Sequence, residues 1–179
     1  THVRMRACES LASAVQFHGV DKHPFLDLIP EILCLLVHEW HMLRWRAAGL
    51  LGALRAAPEQ CIPALIKCLD DRYTGVQGAA ATALGRYGDA ALAALPRILE
   101  LTHADDVPLR SFAISALGYF SDPRVFPILI EALKDPSVST SAIYSLGKGK
   151  WPPNILVPVL CDCLKHGDSV QSWAATGIL

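Results

Sequence analysis

Apolar residues recur along the chain at spacings of three and four positions, and one arrangement of them is repeated. It reads apolar-x-x-x-Ala-x-x-x-apolar-small, occurs five times in full and ends with a shortened sixth copy. The copies place their alanine at Ala7, Ala47, Ala80, Ala113, Ala142 and Ala174. Because three and four are the spacings that line up one face of a helix, each copy predicts an α-helix.

A second arrangement alternates with the first, and each of its copies begins at a proline. The prolines are Pro30, Pro63, Pro96, Pro127 and Pro158. Proline is tolerated in the first turn of a helix, where the N–H groups have no partner within the helix. Each apolar run that follows a proline therefore predicts a second helix that begins there.

Glycine follows the first arrangement in four copies, at Gly52, Gly85, Gly118 and Gly147. We interpret these glycines as left-handed residues that end the first helix of each unit. A unit is then a helical hairpin of about 30 residues, and one hairpin cannot bury both of its apolar faces. The alanines let a neighbouring backbone approach closely, so the hairpins are expected to stack side by side. The sequence thus predicts an all-α protein built as an α-solenoid.

Two segments, VQGAAATALGRYGDAALAALPRILEL and LRSFAISALGYFSDPRVFPILIEALKDP, resemble HEAT repeats. The short spacing of the units is similar to that of the HEAT-like repeats in phycobilisome lyases. The resemblance implies a right-handed α-solenoid, an α-α superhelix of about five and a half hairpins. It divides a single repeat domain, residues 1–179, into repeats at 1–40, 41–71, 72–105, 106–135 and 136–167 and a half repeat at 168–179.

The ends and the first loop of this domain add two expectations. The last repeat stops after one helix, and neither end has the polar cap that solenoid termini need, which predicts a fragment of a longer array. The exposed last helix leaves end-to-end association open. The interval from Ala7 to Ala47 is the longest, so residues 17–23 predict a longer loop, whose function stays open.

The HEAT family often has arginine directly after the apolar residue that begins the first helix. The residues at this position are Arg4, Arg44, Gln77, Arg110, Ser139 and Gln171. Since only half of them match, we expect any ladder of arginines along the repeats to be interrupted.

Composition and charge narrow the function classes. The chain is 52% hydrophobic and 18% charged, which excludes a disordered protein. Its longest apolar stretches are far shorter than the ~20 residues that cross a bilayer. With a net charge of -1 it lacks the basic footprint of a nucleic-acid-binding protein. Most of its six cysteines lie in apolar helical patterns, so we expect reduced, buried or half-buried thiols and a cytoplasmic location.

The residue types and spacings in the sequence do not favour a metal site or a catalytic site. Deoxyhypusine hydroxylase, an enzymatic HEAT relative, holds iron with His-Glu pairs before the repeat alanine, and no such pair stands there in this chain. Cys34, His38 and His41 would share a face on a continuous helix, but the repeat alignment predicts a turn at His38, with capping or partly exposed histidines. Cys161 and Cys163 would point to nearly opposite sides of a helix. We expect no catalytic residue, no metal and no cofactor.

The second helices carry the candidate binding surface, because in HEAT-type solenoids they usually line the concave face. The candidate residues are Lys67, Arg97, Glu100, Glu131 and Asp162. Two interpretations stay open for the carboxylates. They support their own helices through pairs such as Glu131 with Lys134, or they form an acidic stripe that attracts a basic peptide or protein.

The tryptophans Trp40, Trp45, Trp151 and Trp173 are candidates for interface contacts or for plugs in the core. For Trp45 and Trp173, next to the repeat alanines, partial burial is expected. Together these observations predict a non-catalytic scaffold or adaptor that binds another protein on its concave surface, with no nucleic-acid or membrane partner. The alternative is a bilin-lyase-like or other HEAT-like enzyme subunit.

Overall fold

The computed structural model describes residues 23–149, 151–166, 172 and 175–177, and this part of the chain is helical without any strand. A 3-10 helix at His23–Leu28 comes first, and another at Gly88–Ala94 leads into α5. The α-helices are α1 Ile29–Leu35, α2 His41–Leu54, α3 Pro58–Cys68, α4 Thr74–Tyr87, α5 Leu95–Leu101, α6 Val107–Leu117, α7 Val125–Ala132, α8 Ser139–Lys148 and α9 Pro153–His166. The even-numbered helices are called the first helices below, and the odd-numbered ones the second helices.

The helices form a stack of hairpins. Each first helix packs along the next, in the order α2, α4, α6 and α8, and the second helices α1, α3, α5 and α7 each pack against the first helix that follows. One continuous hydrophobic cluster runs through this stack from Ile29 in α1 to Leu146 in α8. The predicted all-α solenoid is therefore confirmed.

The repeat alanines lie where the first helices meet. Ala47, Ala80, Ala113 and Ala142 are all fully buried. The leucines one turn further on, such as Leu51 and Leu84, are equally inaccessible to solvent. Burial of these residues stabilises the stack by about 25 cal/mol for each Å² of apolar surface removed from water.

The glycines that follow the first arrangement do not end their helices in the left-handed conformation, so that interpretation was wrong. Gly52 and Gly85 lie inside α2 and α4, and Gly118 caps α6 with a right-handed φ of -62°. Positive φ occurs instead at Gly88 and at two residues between α2 and α3, Arg55 and Ala57.

The glycines are required because neighbouring first helices touch there through their backbones. A Cβ atom on Gly52 would lie 2.6 Å from the Cα of Ala83, and one on Gly118 would lie 2.7 Å from the Cα of Ser145. The same contact recurs at Gly85, where a Cβ would lie 2.9 Å from the Cα of Ala116. Each of these separations is too short for a side chain, so close approach and not the helix end selects glycine.

The prolines mark the second helices less strictly than predicted. Pro30 and Pro96 stand in the first turns of α1 and α5, as expected. Pro63 and Pro158 lie inside α3 and α9, which begin earlier, at Pro58 and Pro153. Those earlier prolines occupy the first helical position, where the lack of an N–H costs nothing, and they explain the extra turn.

A buried ion pair links successive repeats at their turns. The Nε and Nη2 atoms of Arg44 donate to the two carboxylate oxygens of Asp71 at 2.6 and 2.9 Å. Its Nη1 donates to the carbonyls of His38 and Glu39, at 2.7 and 2.9 Å, in the turn that precedes α2. The two side chains are only 9% and 10% exposed. The hydrogen bond from Arg44 lowers the pKa of Asp71, although its partial burial acts in the opposite direction.

The same link recurs two repeats later and is broken between them. Arg110 donates to the carbonyls of Ala104 and Asp105, and its Nη2 lies 3.6 Å from a carboxylate oxygen of Asp135 in the next turn. Gln77 occupies the equivalent position in the intervening repeat and donates to the carbonyl of Asp71, in the turn that precedes α4. The expected interruption of the arginine ladder at Gln77 is confirmed.

We expect Gly85→Ala to lower the free energy of unfolding by about 1–3 kcal/mol, because the new methyl group overpacks the contact with α6. Gly49→Ala is the matched control, since Gly49 lies inside α2 and no atom lies within 4 Å of the place that its new methyl group would take. That change should stabilise the protein by about 0.5–1 kcal/mol through helix propensity. Guanidinium unfolding measures both, and equal stabilities of the two variants would contradict the backbone contact.

Asp71→Asn should cost about 3 kcal/mol at neutral pH, because it leaves Arg44 buried without its carboxylate. The pKa of Asp71 is lowered by folding, so its contribution is present above the unfolded value of about 3.9 and is lost as the pH falls through the folded value. Unfolding at a series of pH values should therefore show a steeper acid loss in the wild type than in Asp71→Asn. Asp105→Asn, in an exposed turn, is the control and should retain the wild-type slope.

Candidate functional site

Four of the five candidate residues occupy corresponding positions on successive second helices, and Arg97 lies three residues before one of them. Lys67 on α3, Glu100 on α5, Glu131 on α7 and Asp162 on α9 are exposed, and Arg97 on α5 is partly exposed. We call this surface, defined by these five residues, the second-helix face. That it is the concave face of the solenoid stays a prediction.

Arg97 connects two neighbouring second helices. Its Nε donates to Asp70, which follows α3, and its Nη1 donates to Glu100, both at 2.8 Å. These hydrogen bonds, chiefly the one to Glu100, raise the pKa of Arg97. Asp70 and Glu100 remain 69% and 66% exposed, so the pairs contribute little to stability and leave their carboxylates accessible to a partner.

Glu131 forms the pair that the helix-supporting interpretation predicts. The Nζ of Lys134 lies 2.6 Å from its carboxylate, and each side chain is 70% exposed. An ion pair three residues apart on a helix surface stabilises by about 0.2–0.5 kcal/mol. A partner cation can therefore replace Lys134 at small cost, so the pair is compatible with both interpretations.

A groove of about 500 Å³ opens beside Glu131, between the ends of α5 and α7. Its walls are apolar where Ile114, Ile128 and Val138 line them, and Glu131, Lys134 and His103 lie at its rim. Ala132 lines this groove, five residues after Pro127. The equivalent residue of the preceding repeat, five residues after Pro96, is the larger Leu101. The smaller side chain leaves space that a partner's side chain can fill.

The charges at this groove are fixed by the turn that follows α7. Asp135 accepts hydrogen bonds from the backbone N–H and the hydroxyl of Ser137, at 2.9 and 2.7 Å. These bonds, with a smaller contribution from Arg110, lower the pKa of Asp135. Asp135 therefore keeps its negative charge at neutral pH, which suits binding better than proton transfer.

The two histidines at the first turn make contacts within the protein. Helix α1 ends at Leu35 and α2 begins at His41, so the expected turn at His38 is confirmed. The Nδ1 of His38 accepts a hydrogen bond from the N–H of Trp40 at 3.0 Å, and the ring of His41 stacks on Tyr73 at 4.1 Å. No three His, Cys, Asp or Glu side chains come together as a metal site among the residues that the structure describes.

The thiols are mostly shielded from solvent, as expected. Cys61, Cys68 and Cys163 are buried and Cys161 is half-buried, whereas Cys34 is exposed, contrary to the expectation. Burial raises the pKa of Cys68 to about 11. Its thiol is therefore protonated at neutral pH and is unsuited to nucleophilic attack. Cys8 lies outside the described residues.

The tryptophans are partly inside the fold. Trp45 is half-buried, as predicted, and Trp173 lies outside the described residues. Trp151 is also half-buried and contacts Phe126, with 5.2 Å between the ring centres. One grouping that the sequence analysis missed lies at Trp45, where Arg46 stacks on the indole and Phe112 from α6 lines the same depression.

Within the described ranges no helix is long and apolar enough to cross a membrane.

Comparisons with known proteins agree with this architecture. A profile of HEAT repeats matches residues 29–109 and 95–178. The chain is 26% identical over 140 residues to the probable trehalose-phosphate phosphatase 3 of Oryza sativa subsp. japonica, a match that covers 76% of this chain. The chain spans only 37% of the length of that protein.

Solved structures show the same fold. The CpcE–CpcF complex of phycocyanin lyase from Nostoc sp. PCC7120 is similar with a TM-score of 0.69 and 23% identity, over 84% of this chain and 63% of that one. A designed armadillo repeat protein in complex with the peptide (KR)4 is similar with a TM-score of 0.65 and 16% identity, over 97% and 90% of the two chains. Because the matched HEAT segments extend from residue 29 to residue 178, this chain belongs to the HEAT-repeat family.

Proposed function

We propose that this chain is a non-catalytic scaffold or adaptor that binds another protein along its second-helix face. The observation that carries the proposal is the periodic placement of exposed carboxylates at one position of successive second helices, namely Glu100, Glu131 and Asp162. A solenoid that presents one such group per repeat suits an extended partner, which can make one contact with each repeat.

The chemistry of the carboxylates favours a basic segment in the partner. A lysine or arginine side chain can lay its aliphatic stem against Ile128 and Val138 in the groove and bring its charge to Glu131. The designed armadillo repeat protein with a similar fold binds the basic peptide (KR)4, which supports a partner of this kind. The free cysteines of the described part fit our inference of a cytoplasmic location.

End-to-end association remains a separate prediction. It concerns the last helix, and residues 167–171, 173, 174, 178 and 179 lie outside the described part of the chain. Binding along the second-helix face does not depend on it.

Reversing the three carboxylates together, in Glu100→Lys, Glu131→Lys and Asp162→Lys, should raise the Kd for a basic peptide on the order of tenfold, since several exposed pairs of about 0.2–1 kcal/mol are lost. Fluorescence anisotropy with labelled (KR)4 peptide measures this. The matched control reverses three exposed carboxylates outside the set, Glu39, Glu59 and Asp105, and keeps the net charge of the two variants equal. Equal losses in the two triple variants would refute a specific acidic site.

A lyase-type enzyme subunit is the second candidate, supported by the similarity to the phycocyanin lyase complex. The two functions differ in what the purified protein carries. A bound tetrapyrrole gives absorbance at visible wavelengths, well beyond the tryptophan band, whereas the scaffold function predicts absorbance from aromatic residues alone.

A further inference from the structure

The first helices present chemistry opposite to that of the second-helix face. Helices α2, α4, α6 and α8 contain no aspartate or glutamate, and their charged residues are Arg44, Arg46, Arg86, Arg110 and Lys148. Arg44 and Arg110 bind the turns, as described above. The remaining three cations define, with nearby aromatic side chains, what we call the first-helix face.

A depression of about 250 Å³ crosses three first helices on this face. Trp45 of α2 and Phe112 of α6 form its aromatic walls, and small residues of α2 and α4, Gly49, Ala79 and Ala83, form its floor. Arg46 and Arg86 also line it, and none of its lining residues is acidic. The depression is therefore an apolar slot that is bordered by two guanidinium groups, and its residues come from separate repeats.

The walls of the depression are held in place. The ring of Phe112 lies against Gly78, and a Cβ atom added to Gly78 would lie 2.5 Å from this ring. Phe112 is nevertheless 42% exposed to solvent. The guanidinium carbon of Arg46 lies 4.2 Å from the centre of the Trp45 ring. No hydrogen bond or ion pair to another described residue occupies Arg86, so its donors are available to a ligand.

The aromatic and cationic character continues along the stack. Tyr119 and Tyr144 are 39% and 43% exposed, and the Nζ of Lys148 lies 4.8 Å from the centre of the Tyr119 ring. Exposed aromatic residues together with arginine are enriched at the energetic centres of protein interfaces.

We propose that the first-helix face is a second docking surface, which binds an acidic peptide segment carrying apolar side chains. An apolar side chain would fill the slot between Trp45 and Phe112, and a flanking carboxylate would pair with Arg86 in the bidentate geometry that guanidinium groups favour. An overall charge of -1 and the presence of only three such cations on the four described first helices favour a peptide over a nucleic acid, whose affinity depends on many phosphate contacts. This surface is independent of the second-helix face, so either proposal can fail alone.

Fluorescence anisotropy of the whole chain with a labelled (EEF)3 peptide tests the proposal. Binding is expected, and Arg86→Glu should raise the Kd by about tenfold or more because it turns an attraction into a repulsion. Lys67→Glu makes the same charge change on the second-helix face and should leave this Kd unchanged. Circular dichroism melting shows whether each variant is folded.

Two further variants keep the test decisive if Arg86→Glu fails to fold. Gly49→Glu places a carboxylate in the slot at a position where no atom lies within 4 Å of a Cβ, and Phe112→Ala removes one wall. Both should weaken (EEF)3 binding by a similar factor. The proposal is overturned if (EEF)3 does not bind, if a (KKF)3 peptide binds equally well, or if a single-stranded oligonucleotide binds more tightly and loses that binding in Gly49→Glu.

Discussion

Each first helix touches the next through backbone atoms at a glycine, and the remaining architecture follows from that contact. At Gly52, Gly85 and Gly118 the partner helix presents a small residue whose Cα lies within 3 Å of where a Cβ would be. This spacing fixes the register of the first helices, and the continuous cluster from α1 to α8 forms on that register. The second helices then pack mainly onto the next first helix, which leaves their outer positions exposed to solvent.

The two helix rows consequently carry different chemistry. Carboxylates stand on the second helices and in the turns, whereas α2, α4, α6 and α8 carry cations and exposed aromatic rings. The buried pair of Arg44 with Asp71 links two successive turns at one end, because a charge removed from water must keep its partner. In a protein built this way, the exposed groups on the helices can vary from repeat to repeat without changing the buried stack.

Sequence patterns predicted the hairpins, the stack and the turn at His38, because helical spacing and repetition are local properties of the chain. The role of Gly85 could not be predicted, since a left-handed helix end and a close backbone contact both select glycine and only the neighbouring helix distinguishes them. The sequence pattern predicted that α3 begins at Pro63, whereas the helix begins at Pro58. Either proline can occupy the first turn of a helix, so the sequence alone does not distinguish them. The groove beside Glu131 depends on Ala132 standing where Leu101 stands one repeat earlier. Aligning the repeats shows that difference in size, but only the structure shows that nothing else fills the space.

Native-state hydrogen exchange tests the central claim, that the first helices hold the stack together, most directly. Amides in the middle of α2, α4 and α6 should exchange only through the largest opening of the protein, while those of α5 and α7 exchange through smaller openings at lower free energy. Equal protection of both helix rows, or greater protection of the second helices, would contradict the claim.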